Sequence, residues 1–142
     1  MANAQAPSGR PTLPLVVMAG PVAVCRLPAD AAVPGWATGP SRFLTISRTA
    51  DELSITAVQA SVPSELRCER DYRPIRVQGP LPLNLVGILA SIANPLAEAG
   101  ISIFAISTYD TDYVLVKAAT LDSAVAVLRR AGHTVALEEG AP

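Results

Sequence analysis

Residues 107–112, Ser-Thr-Tyr-Asp-Thr-Asp, set two carboxylates two positions apart, with a hydroxyl at Thr108 and a phenol at Tyr109 beside them. On an extended backbone alternate side chains point the same way. Asp110 and Asp112 would then form one negative edge suited to an ammonium or guanidinium group. Asp and Thr are also what a tight turn uses to bond its own backbone, so turn chemistry is the competing reading. A glycosidase-type pair does not fit, because such carboxylates flank the substrate across a cleft and nothing here supplies the opposite wall.

A second set is Gly87, Ser91, Asn94 and Glu98, spaced four, three and four apart. On a helix they share one face, opposite an apolar stripe. That face is either ordinary solvated surface or a small, uncharged platform where Gly87 lets a ligand approach. The free amides expected around Leu85 to Ile88, at the positive end of the helix dipole, suit a carboxylate. Gly79, Gly87 and Gly100 do not have a dinucleotide or phosphate-loop spacing. No Ser, Cys or His stands in a nucleophile motif. His133 directly after Gly132 reads as a helix-exit residue, and Trp36 as core or interface packing. Cys25 and Cys68 have no metal-ligand spacing and are expected to be reduced thiols. The residues call for no cofactor and no metal and offer no catalytic constellation.

The elements that would position these groups follow from periodicity. Extended segments are predicted at Leu13 to Met18, Val22 to Leu27, Phe43 to Ser47 and Glu52 to Gln59. Between Pro28 and Pro40, prolines and glycines exclude a long helix. Val62 to Arg70 suggests one helical turn, Asp71 to Pro74 a junction, and Ile75 to Gln78 a strand ending at Gly79-Pro80. A helix follows, capped by Asn84, with its stripe at Leu85, Ile88, Leu89, Ile92, Leu96 and Ala99. Pro95 should bend it, and Gly100 should end it. Strands are expected at Ile101 to Ser107, Asp112 to Lys117 and His133 to Leu137. Between the last two lies a helix from Thr120, with Leu121, Ala124, Val125, Leu128 and Ala131 inward and Gly132 at its end. The order from Ile75 to Leu137 is β-α-β-β-α-β, a four-stranded antiparallel sheet with two helices on one face. The first half has a similar strand count but stunted helices, which suggests a degenerate copy or a partner lobe.

The chain has 142 residues, half of them hydrophobic, 16% charged, and a net charge of −1. That composition supports a packed core in one domain or two small ones. It holds no basic run for nucleic acid and no apolar stretch of the ~18 residues a membrane span needs. MANAQAPSGRPT lacks the charged and apolar regions of a secretory signal, so the cytoplasm is the expected compartment. Residues 1–12 and 139–142 read as loose tails.

The stretch GPLPLNLVGILASIANPLAEAGISIFAISTYDTDYVLVK resembles the second domain of bacterial tandem ACT-domain proteins and the CASTOR-type arginine sensors of animals. SIANPLAEAGISIFAIST and YDTDYVLVK carry it most specifically, and FLTISRTADELSITA fits a shorter, preceding ACT-like domain. The resemblance implies an α+β chain of two ferredoxin-like ACT domains in tandem, at 13–70 and 71–138, the first with shortened helices. It also implies a non-catalytic regulatory protein that binds an amino acid where ACT domains meet. Carried over by position, Gly87, Ile88, Ser91 and Ile92 on the first helix would face Thr108, Tyr109 and Asp112 of a partner domain's hairpin, with Asp112 taking the cationic group. The sensors carry two domain pairs in one chain and this sequence carries one. The two-sided pocket therefore calls for a homodimer. A protein-interaction module that kept the fold without a ligand is the alternative.

Overall fold

The structure is a computed structural model that describes residues 10–138. Its strands are β1 (Pro14–Val17), β2 (Val22–Leu27), β3 (Leu44–Arg48), β4 (Leu53–Val58), β5 (Cys68–Val77), β6 (Phe104–Ser107), β7 (Asp112–Lys117) and β8 (Thr134–Leu137). Its helices are α1 (Ile88–Glu98) and α2 (Leu121–Arg130). The chain divides into two units, one of residues 20–72 and one combining the residues up to Ala19 with those from Arg73 onward. No helix among the described residues is long and apolar enough to cross a membrane.

In the larger unit the order from β5 is the expected β-α-β-β-α-β, but the sheet differs from the expected four strands. Strand β1, which the sequence suggested would open the first lobe, lies between β5 and β8, so the strands run β6-β7-β5-β1-β8. It pairs antiparallel with β5, Leu15 opposite Val77, and parallel with β8, Leu15 opposite Val135. Burial explains the placement. Leu15 and Val17 alternate inward at 1% and 0% exposure and join Ile75, Val77, Val114 and Val116 beneath Ile92, Leu96, Leu121 and Leu128. The tails expected at 1–12 and 139–142 lie mostly outside the described residues. Arg10, which is described, pairs with Glu98 at 4.0 Å.

Helix α1 starts later than the sequence suggested. Asn84 sits in a turn closed by the Leu85 amide donating to the Pro82 carbonyl at 3.2 Å, and the N-cap is Gly87 in the left-handed region, φ +83°. A left-handed residue cannot continue a right-handed helix, so the Gly87 backbone sets the start. Ile88, Ile92 and Leu96 point inward, whereas Leu89 and Ala99, expected in the stripe, are exposed. Gly100, φ +73°, ends the helix, with the Ile101 amide donating to the Leu96 carbonyl at 2.9 Å. Pro95 is accommodated within a single helix. Helix α2 buries Leu121, Ala124, Val125 and Leu128, as its spacing indicates.

The smaller unit contains β2, β3, β4 and the first half of β5, in sheet order β3-β4-β2-β5. Two 3₁₀ turns, Gly35–Ala37 and Gln59–Ser61, stand in its connections, and it has no α-helix. Leu53, Ile55, Ala57, Ala23 and Cys25 form its core, with Trp36 packed against them. The helical turn and junction expected between Val62 and Pro74 are replaced in large part by the ten-residue strand β5. Pairing overrides the local breakers here. Residues 68–72 pair with β2 and residues 75–77 with β1, while Pro74, which has no amide hydrogen, accepts from the Met18 amide at 2.9 Å. The cysteine expectation is also corrected. The β2–β5 register sets Cys25 opposite Cys68, 4.2 Å apart at Cα, and the two sulfurs are bonded. Sequence separation hid a contact that only strand register creates.

Candidate functional site

Strands β6 and β7 pair from Phe104 opposite Leu115 to Ser107 opposite Asp112, and residues 108–111 join them. The Thr108 amide donates to the Thr111 carbonyl at 2.8 Å, and the Thr108 hydroxyl accepts from the Thr111 amide at 3.3 Å. Thr108 thus does turn chemistry. Asp112 accepts the Ser107 hydroxyl at 2.6 Å, leaving further acceptor capacity on its carboxylate. The buried Thr111 hydroxyl donates to the Val77 carbonyl at 2.5 Å, and the Asp110 carbonyl accepts the Leu81 amide at 2.7 Å. These bonds clasp the hairpin to the segment that follows β5. Gly79 permits the approach, since a Cβ there would stand 3.1 Å from the Asp110 carbonyl oxygen.

Between hairpin and segment lies a cavity of about 90 Å³, lined by Leu81, Pro82, Leu83, Leu85, Ile88 and residues 108–112. Ile88, Thr108, Tyr109, Asp110 and Asp112 therefore converge, across some twenty residues of sequence. Tyr109 at 82% exposure and Leu83 at 74% stand at its rim. The N-terminus of α1 adjoins it. Gly87 supplies no side-chain cap, and the first amide bond within the helix is from Ser91 to the Gly87 carbonyl at 3.0 Å. The amides of residues 88–90 therefore have no acceptor inside the helix. The free donors sit here and not around Leu85, because the helix starts later.

Ser91 and Ile92 do not reach this cavity. Ile92 is fully buried in the core, and Ser91 is buried with its hydroxyl donating to the Ile88 carbonyl at 2.7 Å. The supposed solvated face of Gly87, Ser91, Asn94 and Glu98 is exposed at three of its four members, and Ser91 turns inward.

Ser91 instead lines a larger cleft, about 600 Å³, with Pro95 and Glu98 of α1, Val127 and Arg130 of α2, Arg10 and His133. Pro95 lacks the amide hydrogen that would serve the Ser91 carbonyl four residues earlier. The buried His133 supplies it: Nε2 lies 2.9 Å from the Ser91 carbonyl oxygen. Its Nδ1 accepts the Leu13 amide at 3.1 Å, which fixes the Nε2–H tautomer. Far from a simple helix exit, His133 joins β1, α1 and the turn before β8. A proline within a helix and a single histidine were the available signals, but nothing in the sequence says that they meet.

In the same unit the buried Arg73 donates from Nη2 to the Met18 carbonyl at 3.0 Å, while its Nε has no partner among the described residues. Burial lowers its pKa from the ordinary value, because desolvation disfavours the charged form.

The ACT-domain family profile matches residues 67–130, and a profile for another family's N-terminal domain matches residues 20–65. The chain is 34% identical over 111 residues to the cytosolic arginine sensor for mTORC1 subunit 1 of Bos taurus, covering 72% of this chain and 34% of that protein. The human counterpart is 43% identical over 60 residues, 42% of this chain and 18% of that protein. The chain thus spans about a third or less of the length of these curated relatives. The crystal structure of protein Atu0741 from Agrobacterium tumefaciens superposes with a TM-score of 0.85 at 36% identity, covering 93% of this chain and 98% of that one. Clostridium acetobutylicum aspartate kinase shares the fold alone, with a TM-score of 0.61 at 11% identity over 84% of this chain and 35% of that one. The matched profile runs from the start of β5 to the end of α2, so the β-α-β-β-α stretch of the unit built above is the part that it covers: the chain carries an ACT domain over residues 67–130.

Proposed function

We propose that this protein is a non-catalytic regulatory protein that binds an amino acid at the hairpin cavity and acts as a homodimer. The observation that carries the reading is the convergence of Asp110, Asp112, Thr108 and Tyr109 on one cavity beside the uncapped start of α1. The carboxylates suit the ligand's cationic group, and the free amides of residues 88–90 suit its carboxylate. About 90 Å³ is well short of the ~300 Å³ at which small-molecule pockets begin, so one chain supplies part of a pocket. A second copy related by two-fold symmetry would complete it. Relatives named as arginine sensors make arginine the first compound to try. The smaller unit supports a tandem reading. Its elements run strand, 3₁₀ turn, strand, strand, 3₁₀ turn, strand, in a ferredoxin-like sheet order with turns where helices would be.

The test is a thermal-shift panel of the amino acids on wild type and Asp112→Asn. Ligand at 100 times its Kd adds about 2.7 kcal/mol to the native state, a shift of several degrees. A shift by an amino acid that is lost in Asp112→Asn, while the unliganded melting temperature barely moves, is the expected result. A flat panel overturns the ligand reading. It would favour the interaction module, for which the exposed Leu83, Val86 and Tyr109 are the supporting observation.

A further inference from the structure

The cleft between α1 and α2 is the larger of the two cavities described above, and the hairpin site does not use it. The polar side chains at its floor are engaged within the protein: the Ser91 hydroxyl and carbonyl and both His133 nitrogens have partners. Polar recognition is left to the mouth. There Arg10 and Glu98 stand 4.0 Å apart and solvent-exposed, a distance at which little is gained in water. Arg130 also lines the mouth, and among the described residues its guanidinium makes no ion pair or hydrogen bond. Pro95 and Val127 provide an apolar wall.

From this arrangement we infer that the cleft is a second binding site, for a small carboxylate with an apolar body, its carboxylate held by Arg130 and its body against Pro95 and Val127. A guanidinium takes a carboxylate through two parallel N–H donors, which gives orientation as well as attraction. Glu98 adds a place for an ammonium group, so a zwitterionic amino acid satisfies both signs of the mouth. The inference is independent of the hairpin reading, because the two cavities share no lining residue.

Isothermal titration of the full chain with leucine, leucinamide and 4-methyl-2-oxopentanoate tests it. Leucine should bind and leucinamide, which lacks the carboxylate, should not. The oxo acid should bind more weakly than leucine, having no ammonium for Glu98. Arg130→Gln, at an exposed side chain without partners among the described residues, should weaken leucine binding about ten- to a hundredfold. Ala99→Trp, which fills the cleft from its exposed rim, should abolish it, with the fold confirmed by circular dichroism. Asp112→Asn should leave it unchanged. Absence of binding by both carboxylates at 10 mM, equal binding of leucinamide, or binding insensitive to Arg130→Gln overturns the proposal. Leucine binding lost in Asp112→Asn but kept in Arg130→Gln would overturn it too, and would place leucine at the hairpin.

Discussion

Pro95 has no amide hydrogen to offer the Ser91 carbonyl, and His133 supplies one from 2.9 Å. This pairing has a measurable signature. His133→Phe leaves that carbonyl and the Leu13 amide without partners inside the protein and should cost about 2–4 kcal/mol of unfolding free energy. Pro95→Ala restores a backbone donor to Ser91, so His133→Phe should cost about 1 kcal/mol less in that background. Urea unfolding of the four proteins closes the cycle, and simple additivity would show that the imidazole does not serve the carbonyl. At this scale the sequence was legible where a cavity is lined by neighbours in the chain. Thr108, Tyr109, Asp110 and Asp112 do share one cavity with Ile88. It was not legible where partners come from distant segments, as at Arg10, Glu98, Arg130 and His133.

Helix α2, the β6–β7 hairpin and the glycine ends of both helices are where their spacing puts them, because each rests on local periodicity and a local stop. The start of α1 differs because a left-handed Gly87 outweighs a plausible Asn84 cap. Strand β5 differs because its pairing partners, β1 and β2, lie about fifty residues upstream. Cys25 and Cys68 belong to this scale, since the register of β2 on β5 is what joins them. The bridge spans 43 residues, and chain-entropy arguments give such a loop about 4 kcal/mol. Under denaturing conditions without reductant, an alkylating reagent should label neither cysteine, and reduction should expose both. Reduction should also lower the urea midpoint. Labelling of both cysteines before reduction would show two thiols, as the expected cytoplasmic setting suggested.

The larger unit is assembled from two separated stretches of chain. Strand β1 lies between β5 and β8 and is the only strand that β8 pairs with among those described. A fragment that begins at Asp71 keeps the whole β-α-β-β-α-β sequence but loses Leu15 and Val17, each fully buried. Burying such a side chain contributes about 1.5–3 kcal/mol, against a total stability of roughly 5–15 kcal/mol. The fragment should therefore melt without a cooperative transition, while the full chain melts cooperatively. A sharp melt of the fragment, followed by circular dichroism, would show that β1 is dispensable.

The amino-acid sequence by itself determined the α+β class, the β-α-β-β-α-β order from β5 onward, and the acidic hairpin beside the first helix. Hydrophobic period, turn residues and helix ends are local, and they act before any long-range contact exists. Only the tertiary structure decided that β1 completes the larger unit's sheet, that Cys25 meets Cys68, that Ser91 and Ile92 face the core, and that His133 closes the gap left by Pro95. Each of these depends on strand register or on contact between distant segments, and a one-residue change of register would reverse which side chains face the core.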